Sequence, residues 1–488
     1  MEALSQTLRG IAARSPLGLF IDGQWRASTG DRQVDVIAPH TEERLLRYTE
    51  PSHADIEAAV AAARSAFDNG PWPQLFPQER SVVLKRVADH LRARMPELAE
   101  AWTGQVGAAL GFSKRASQQA PDLFDYYADL IATHAFVEPR VCPNGGRVHV
   151  VQELVGVVAA ITPWNAPLVL LCYKVAAALA AGCTVVAKPS PETPIDAYVL
   201  AERISAVGVP EGVFNLLPAG RGVGERLIRH RHVDKVSFTG STQAGRLIGI
   251  ACAERLARVG LELGGKSAAI MLEDADIAKV LPTLVPYSMP IAGQVCFSLT
   301  RVLVPAQRRE EMLQAHCAAL SAVKLGDPFA ADTSMGPSAL GRQLERVQSI
   351  AKGSAEGARL VRGGGRPAHL PRSFFVEPTV FSEFKPDMTI AREEIFGPVV
   401  SFIDYQDEAD LIAKANASDY GLHGSIYSED AERAYRIARR VRSGSHAING
   451  MWVDISMPFG GFKQSGIGRE GGIEGLHTFL ETKTVYLS

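Results

Sequence analysis

From Val155 onward the chain alternates short runs rich in Val and Ala with longer Ala- and Leu-rich runs, and this rhythm constrains the fold more than any other feature. It predicts a strand near 155–161, a helix over 167–181 stopped by Gly182, a strand at 183–188, a helix at 194–206 and a strand at 212–217. A helix near 223–230, a strand at 233–238 and a helix over 242–258 follow. Strands alternating with helices in this way imply a parallel sheet covered on both faces, whose strands are apolar throughout. The same burial accounts for Leu154–Tyr173, twenty residues without a charge and long enough to span a bilayer. Pro163, Trp164, Asn165 and Pro167 interrupt its middle. A helix running through two prolines loses backbone hydrogen bonds, so strand, loop and buried helix are expected in place of a membrane span.

A second α/β set starts after Gly264, with a strand near 267–272, a helix from about 275 to 291, a strand at 298–304, a helix at 308–323 and further units to about 448. Gly264-Gly265 is expected to be a hinge between two lobes. Upstream, 56–66 and 79–103 carry helical periodicity. Two stretches fit neither set, 136–151 and 481–488, and both have the character of strands that pair with another subunit. At ~150 residues per domain the 488 residues amount to about three domains' worth of chain. An apolar fraction of 46% excludes disorder, and 51 Lys and Arg against 53 Asp and Glu give no overall drive toward nucleic acid or an anionic membrane. The six cysteines are scattered, with no Cys-x-x-Cys pair and no His at zinc-ligand spacing, so neither a disulfide framework nor a metal site is expected. The first twenty residues lack the apolar core of a secretory signal, which leads to the expectation of a cytoplasmic, reducing setting.

Several residues stand where chemistry is possible. Gly220-Arg221-Gly222-Val223-Gly224 is either a partial dinucleotide fingerprint or a tight strand-to-helix turn. In residues 233–245 a buried strand runs into Thr239-Gly240-Ser241-Thr242, where Gly240 permits a sharp turn and Ser241 or Thr242 caps a helix with backbone N–H groups facing an anion; an ordinary capped helix is the alternative. Lys188, just beyond its strand, is a cofactor contact or a solvated loop lysine. Glu262, between Leu261 and Leu263, is a general base with a penalised charged form or a partly exposed strand-end acid. Cys296 follows a helix and precedes a strand, so its thiol is a nucleophile presented on a loop or a small buried hydrophobe, the role assigned to Cys172, Cys183 and Cys252.

Together these residues resemble the aldehyde dehydrogenase superfamily over essentially the whole chain. PWN at 163–165, KPS at 188–190, FTGST at 238–242, LELGGKS at 261–267, GQVC at 293–296, EEIFGPV at 393–399 and PFGGFKQSGIGRE at 458–470 occur in the family's order. The resemblance implies an α/β fold of two Rossmann-like lobes plus a small β oligomerisation element. Residues 1–135 and 152–262 would form the NAD(P)-binding domain, 263–475 the catalytic domain, and 136–151 with 476–488 the oligomerisation element of a homodimer or homotetramer. It further implies that Cys296 attacks the aldehyde to give a thiohemiacetal, that the Asn165 amide and the Cys296 backbone N–H form the oxyanion hole, and that Glu262 activates the water that hydrolyses the thioester. Lys188 and Glu394 would meet the cofactor riboses, Ser241 the pyrophosphate beside Gly240, and Phe396 the nicotinamide. Ile161, Thr162, Pro163, Trp164, Ser190, Gly220, Gly224, Phe238, Thr239, Glu262, Leu263 and Gly264 complete the expected NAD site.

Two departures from the family pattern stand out. Many NAD-preferring members carry Glu three residues after the lysine, where this chain has Pro191 followed by Glu192, so NADP is admitted beside NAD. The frequent Asn of N-x-G-Q-x-C is Ile291. Positions matching the family's substrate tunnel are Leu170, Tyr173, Val295, Phe297, Ile455 and Phe459, none charged, which points to a medium-sized apolar aldehyde: aliphatic, terpenoid or aromatic. A coenzyme A-acylating enzyme and a non-catalytic family member are the alternatives, and intact Glu262, Cys296 and Asn165 argue against both.

Overall fold

A computed structural model describes residues 18–351, 356–385 and 388–487. Residues 1–17, most of the segment considered for a secretory signal, and the terminal Ser488 lie outside them. In chain order the labelled elements begin with β1 (Leu19–Ile21), β2 (Gln24–Arg26), β3 (Val137–Val141) and β4 (Arg147–Leu154). The alternating run supplies β5 (Val157–Ile161), α1 (Pro167–Ala181), β6 (Thr184–Lys188), α2 (Ile195–Ala206), β7 (Phe214–Leu216), α3 (Arg221–Arg229), β8 (Lys235–Thr239), α4 (Thr242–Ala253) and β9 (Arg258–Glu262). The second lobe contains β10 (Ala268–Met271), α5 (Ile277–Ser288), β11 (Arg301–Pro305), α6 (Arg309–Leu320), α7 (Gly341–Ala351), β12 (Arg359–Arg362) and β13 (Thr379–Ser382). After these come β14 (Val399–Tyr405), β15 (Gly424–Tyr427), β16 (Ala447–Ile448), β17 (Gly466–Ile467) and β18 (Leu480–Leu487).

The first sheet has eight strands in the order β2-β1-β7-β6-β5-β8-β9-β17. Its five central strands are parallel, and every residue of β5, β6 and β8 is buried, as a sheet covered on both faces requires. Pro167 opens α1 in its first turn, where a missing N–H costs nothing, and Gly182 closes it at φ 97°, a left-handed cap that favours glycine. The apolar span considered above is therefore β5, a loop and α1. Among the described residues no helix is long and apolar enough to cross a membrane. The second sheet runs β12-β13-β14-β11-β10-β15-β16, parallel except between β12 and β13.

Several expected boundaries shift. The helix proposed for 242–258 stops at Ala253, and Arg258–Glu262 is a strand paired in parallel with β8. The helix proposed for 79–103 is two, Pro77–Arg92 and Met95–Val106, broken where Pro96 enters the first turn of the second. The two unplaced stretches pair with each other: β18 lies antiparallel along the full length of β4, whose other edge carries β3. Because β4 continues through Leu154, the three-stranded sheet extends past the boundary expected at 151. β17, inside the span expected to be wholly catalytic, joins the first sheet beside β9. Gly264-Gly265 is not a hinge by conformation. A Cβ at Gly264 would lie 2.1 Å from Glu394 Oε2, which would have to swing aside, and one at Gly265 would lie 2.3 Å from the Cys296 backbone carbonyl oxygen, so Gly265 is a residue of close approach to the loop that carries Cys296.

Candidate active site

Four parallel strands end on the residues that build the site. β5, β6, β8 and β9 terminate at Ile161, Lys188, Thr239 and Glu262. The strand order turns back between β5 and β8, which opens a crevice at the carboxyl ends of the strands, the usual ligand position of an open α/β sheet. A groove of about 1090 Å³ occupies it, lined by Ile161, Thr162, Pro163, Trp164, Lys188, Ser190, Gly220, Gly224, Phe238, Thr239, Gly240 and Ser241. Ser241 caps α4, its hydroxyl accepting from Ala244 N at 3.3 Å, and the remaining first-turn N–H groups form an anion seat. At Gly240 a Cβ would come within 2.4 Å of the Phe238 ring. Thr162 Oγ1 is buried without a partner in the same groove. These features fit a dinucleotide.

Lys188 Nζ donates to the carbonyls of Ala219 at 2.5 Å and Pro189 at 3.1 Å, and burial lowers its pKa to about 8 against the opposing pull of Glu192 and Glu50. The Gly220–Gly224 stretch starts α3: Gly220 N donates to the Glu50 carboxylate and Gly224 faces the Lys188 stem, so it is a turn that borders the groove. An adjoining cavity of about 500 Å³ shares Pro163, Trp164, Thr239, Gly240 and Ser241 with the groove and adds Asn165, Leu170, Leu263, Gly264, Cys296, Glu394 and Phe396. The Trp164 and Phe396 rings meet edge to face at 5.4 Å. Glu394 accepts from Gly265 N at 3.0 Å, and burial raises its pKa to about 7.

The loop before Cys296 is held in an uncommon shape. Ile291, Ala292 and Gly293 have φ of 49°, 54° and 74°, and a Cβ on Gly293 would lie 2.0 Å from the Gly397 carbonyl oxygen. Gln294 ties this loop down, its Nε2 donating to Ile291 O at 2.8 Å and its Oε1 accepting from Ala339 N at 2.9 Å. Burial pushes the Cys296 thiol well above its usual range, as do the nearby Glu394 and Glu262 carboxylates, while the backbone N–H groups of Phe297 and Cys296 oppose the shift. Asn165 Nδ2 donates one hydrogen to Gln294 O at 2.9 Å, leaving its second for a ligand, and Trp102 Nε1 donates to the Asn165 backbone carbonyl at 2.9 Å.

Glu262 lines neither cavity. It is buried at the end of β9 beside Gly460, with Oε2 unpartnered. Burial and the neighbouring Glu470 raise its pKa well above the usual carboxyl range, against Lys174 and Arg469. Of the six substrate positions, only Leu170 lines the cavity that holds Cys296. Tyr173, Val295, Phe297 and Ile455 belong to one apolar cluster, and Phe459 packs edge-on against Phe297 at 6.3 Å. Sequence reasoning missed Lys174, whose buried Nζ donates to Thr239 Oγ1 at 2.7 Å and to Glu470. It missed Gln343 too, whose Nε2 reaches Ile395 O at 2.8 Å and Phe396 O at 2.6 Å and so steadies the Glu394–Phe396 loop. A lone lysine inside the apolar run of α1 was the visible signal for the first; nothing marked the second.

Residues 25–485 match the aldehyde dehydrogenase family. The chain belongs to that family. It is 43% identical over 470 residues to a geranial dehydrogenase of Castellaniella defragrans, covering 96% of this chain and 98% of the relative. A 3-succinoylsemialdehyde-pyridine dehydrogenase of a Pseudomonas species is 43% identical over 472 residues, covering 96% and 97%. Among solved structures, a Mycobacterium tuberculosis aldehyde dehydrogenase complexed with NAD+ superposes with a TM-score of 0.94 at 42% identity, covering 96% and 98% of the two chains. Staphylococcus aureus betaine aldehyde dehydrogenase with NAD+ gives 0.96 at 35%, covering 99% and 96%. This aldehyde dehydrogenase is an NAD-dependent oxidoreductase that acts on aldehydes.

Proposed function

We propose that the chain oxidises a medium-sized apolar aldehyde to its carboxylic acid through covalent chemistry at Cys296. The observation that carries this reading is the meeting of Cys296 and Asn165 on one cavity that adjoins the dinucleotide groove, with one hydrogen of the Asn165 amide held by Gln294 O and the other spare. The Cys296 proton leaves to a base and its sulfur bonds to the carbonyl carbon. The carbonyl electron pair moves to oxygen, where the Asn165 amide and a backbone N–H hold the charge. When bound, the oxidised nicotinamide cofactor supplies the hydride acceptor that turns the adduct into a thioester. Glu262 then takes a proton from water as the water oxygen adds to the acyl carbon, and the C–S bond breaks to release the acid and the thiolate. A carboxylate whose pKa burial has raised is a stronger base, which suits the transfer from water.

Leu170 on the wall of the Cys296 cavity supports an apolar substrate, as do relatives whose names specify geranial and a pyridine-bearing semialdehyde. Absorbance at the reduced-nicotinamide band, followed with octanal, benzaldehyde, citral and succinate semialdehyde under NAD and NADP, tests this. Catalytic efficiency about tenfold higher with succinate semialdehyde than with the other three would reject the substrate class, and activity surviving in Cys296→Ala would reject the mechanism. The same reading gives β3, β4 and β18 a role in subunit pairing: β3 is exposed along its whole length at a free sheet edge. Sedimentation of the full chain against one lacking residues 480–488 tests it, with loss of the oligomer expected.

A further inference from the structure

An ion pair bridges the two lobes across the wall of the large groove. Arg342, the second residue of α7, donates from Nη2 to Glu192 Oε1 at 2.7 Å, and the Ser190 hydroxyl donates to the other oxygen. Both partners line the groove with Lys188, Ser190 and Arg221. Glu192 sits in the turn that follows β6, and the preceding residue, Pro191, has its carbonyl anchored by Tyr48 Oη at 3.1 Å. Burial works to raise the Glu192 pKa, but Ser190 and Arg342 outweigh it and hold the carboxyl below its usual value. Its charge is thus already matched, and both of its oxygens already accept hydrogen bonds.

Arg342 has more to give. Its side chain is 63% exposed and uses one of the five donors of a guanidinium on Glu192. Arg221 lines the same groove and has no ion-pair or hydrogen-bond partner among the described residues. Glu225, the other acid on the lining, is paired with Arg229 at 3.8 Å, so Arg221 and the free edge of Arg342 face the groove without an acid that neutralises them.

We propose that Arg342 is a cofactor-discriminating residue that receives the 2′-phosphate of NADP on its free guanidinium edge, with Glu192 as the internal anion it is paired with when that phosphate is absent. The inference rests on the groove being the adenosine-nucleotide site of the proposed function. A planar guanidinium suits a phosphate bidentately, and removing it leaves Glu192 uncompensated where it repels the same phosphate. Both effects act on the 2′-phosphate and not on a 2′-hydroxyl, so they appear in the ratio of two affinities.

The test uses full-length protein and calorimetric binding of adenosine 2′,5′-bisphosphate and 5′-AMP, which differ only by that phosphate. The wild type is expected to bind the bisphosphate at least as tightly as 5′-AMP. Arg342→Ala should shift the ratio by about tenfold or more against the bisphosphate, the size of one lost charge-assisted hydrogen bond. Arg342→Lys, which keeps the charge and loses the fork, should fall between, and Glu192→Gln should shift the ratio toward the bisphosphate. Thermal melts of all variants establish that they are folded. A ratio that moves less than about twofold in Arg342→Ala, both ligands weakening together, would make the pair a structural clasp and overturn the assignment, as would a wild type favouring 5′-AMP more than about tenfold. Binding of neither probe would overturn the groove's reading and the assignment together, whereas bisphosphate binding without aldehyde oxidation would leave Arg342 in place and reject only the reaction.

Discussion

Lys174→Met perturbs the charge arrangement that surrounds the proposed base. Lys174 has no exposed side-chain surface, and its ammonium is shared between Thr239 Oγ1 at 2.7 Å and Glu470, whose side chain is 12% exposed. Methionine fills a similar volume, so packing changes little, but Glu470 is left buried without its cation. Breaking a buried pair from one side costs about 3–5 kcal/mol. For a lobe of this size that lowers the melting temperature by roughly 6 °C or more. Removing Glu470's charge as well, in Lys174→Met with Glu470→Gln, takes away the uncompensated ion and should recover most of the loss. The substitution has a catalytic consequence too. Lys174 is one of two cations that pull the Glu262 pKa down against burial and Glu470, so without it Glu262 is pushed further up. A base works unprotonated, and the rise of the deacylation rate with pH should move to higher pH in Lys174→Met. Thermal denaturation of the four members of the cycle, with single-turnover rates across pH, measures both effects. A single variant destabilised by less than about 1 kcal/mol, or a double variant as unstable as the sum of the singles, would refute the pairing argument.

Three further outcomes are expected. Because the Glu262 pKa is raised, kcat should climb as pH passes upward through it; Glu262→Gln should abolish that limb, lowering steady-state turnover by about 100-fold or more while a first-turnover burst of reduced cofactor persists. Asn165→Ala removes one oxyanion donor and should lower kcat by roughly 100- to 1000-fold with cofactor binding retained, measured by stopped-flow and by fluorescence titration. Gly265→Ala places a Cβ 2.3 Å from the Cys296 carbonyl oxygen, so the nucleophile loop must move; about 1–3 kcal/mol of stability and about 100-fold in kcat should be lost, and a variant with wild-type kcat would contradict the close approach of Gly265 to that loop.

What the sequence disclosed follows from where its information is local. Lys188 and Thr239 were identifiable as site residues because each stands at the end of a short apolar strand, and strand ends on one side of a parallel sheet converge whatever the detail of the connections; Ile161 came with the family motifs, and Glu262 from its apolar neighbours and those motifs. β9 itself was not separable from the helix before it, since Ala257-Arg258-Val259 continues the helical spacing and only pairing with β8 makes it a strand. The glycines at 264 and 265 suggested freedom, but glycine is equally the residue of close approach, and the choice depends on Glu394 and Cys296, far away in sequence. The ion pairs Lys174–Glu470 and Arg342–Glu192 join residues 296 and 150 positions apart, so one member of each was visible as an oddity while its partner was not. The substrate positions were the least legible: lining is a property of the surface left over after packing, and of the six only Leu170 is on the cavity beside Cys296, while Tyr173, Val295, Phe297 and Ile455 belong to the core and Phe459 packs on Phe297. Residues fixed by backbone geometry are therefore legible from one chain, whereas charge partners and cavity walls are set by which side chains meet, and those meetings exist only in the fold.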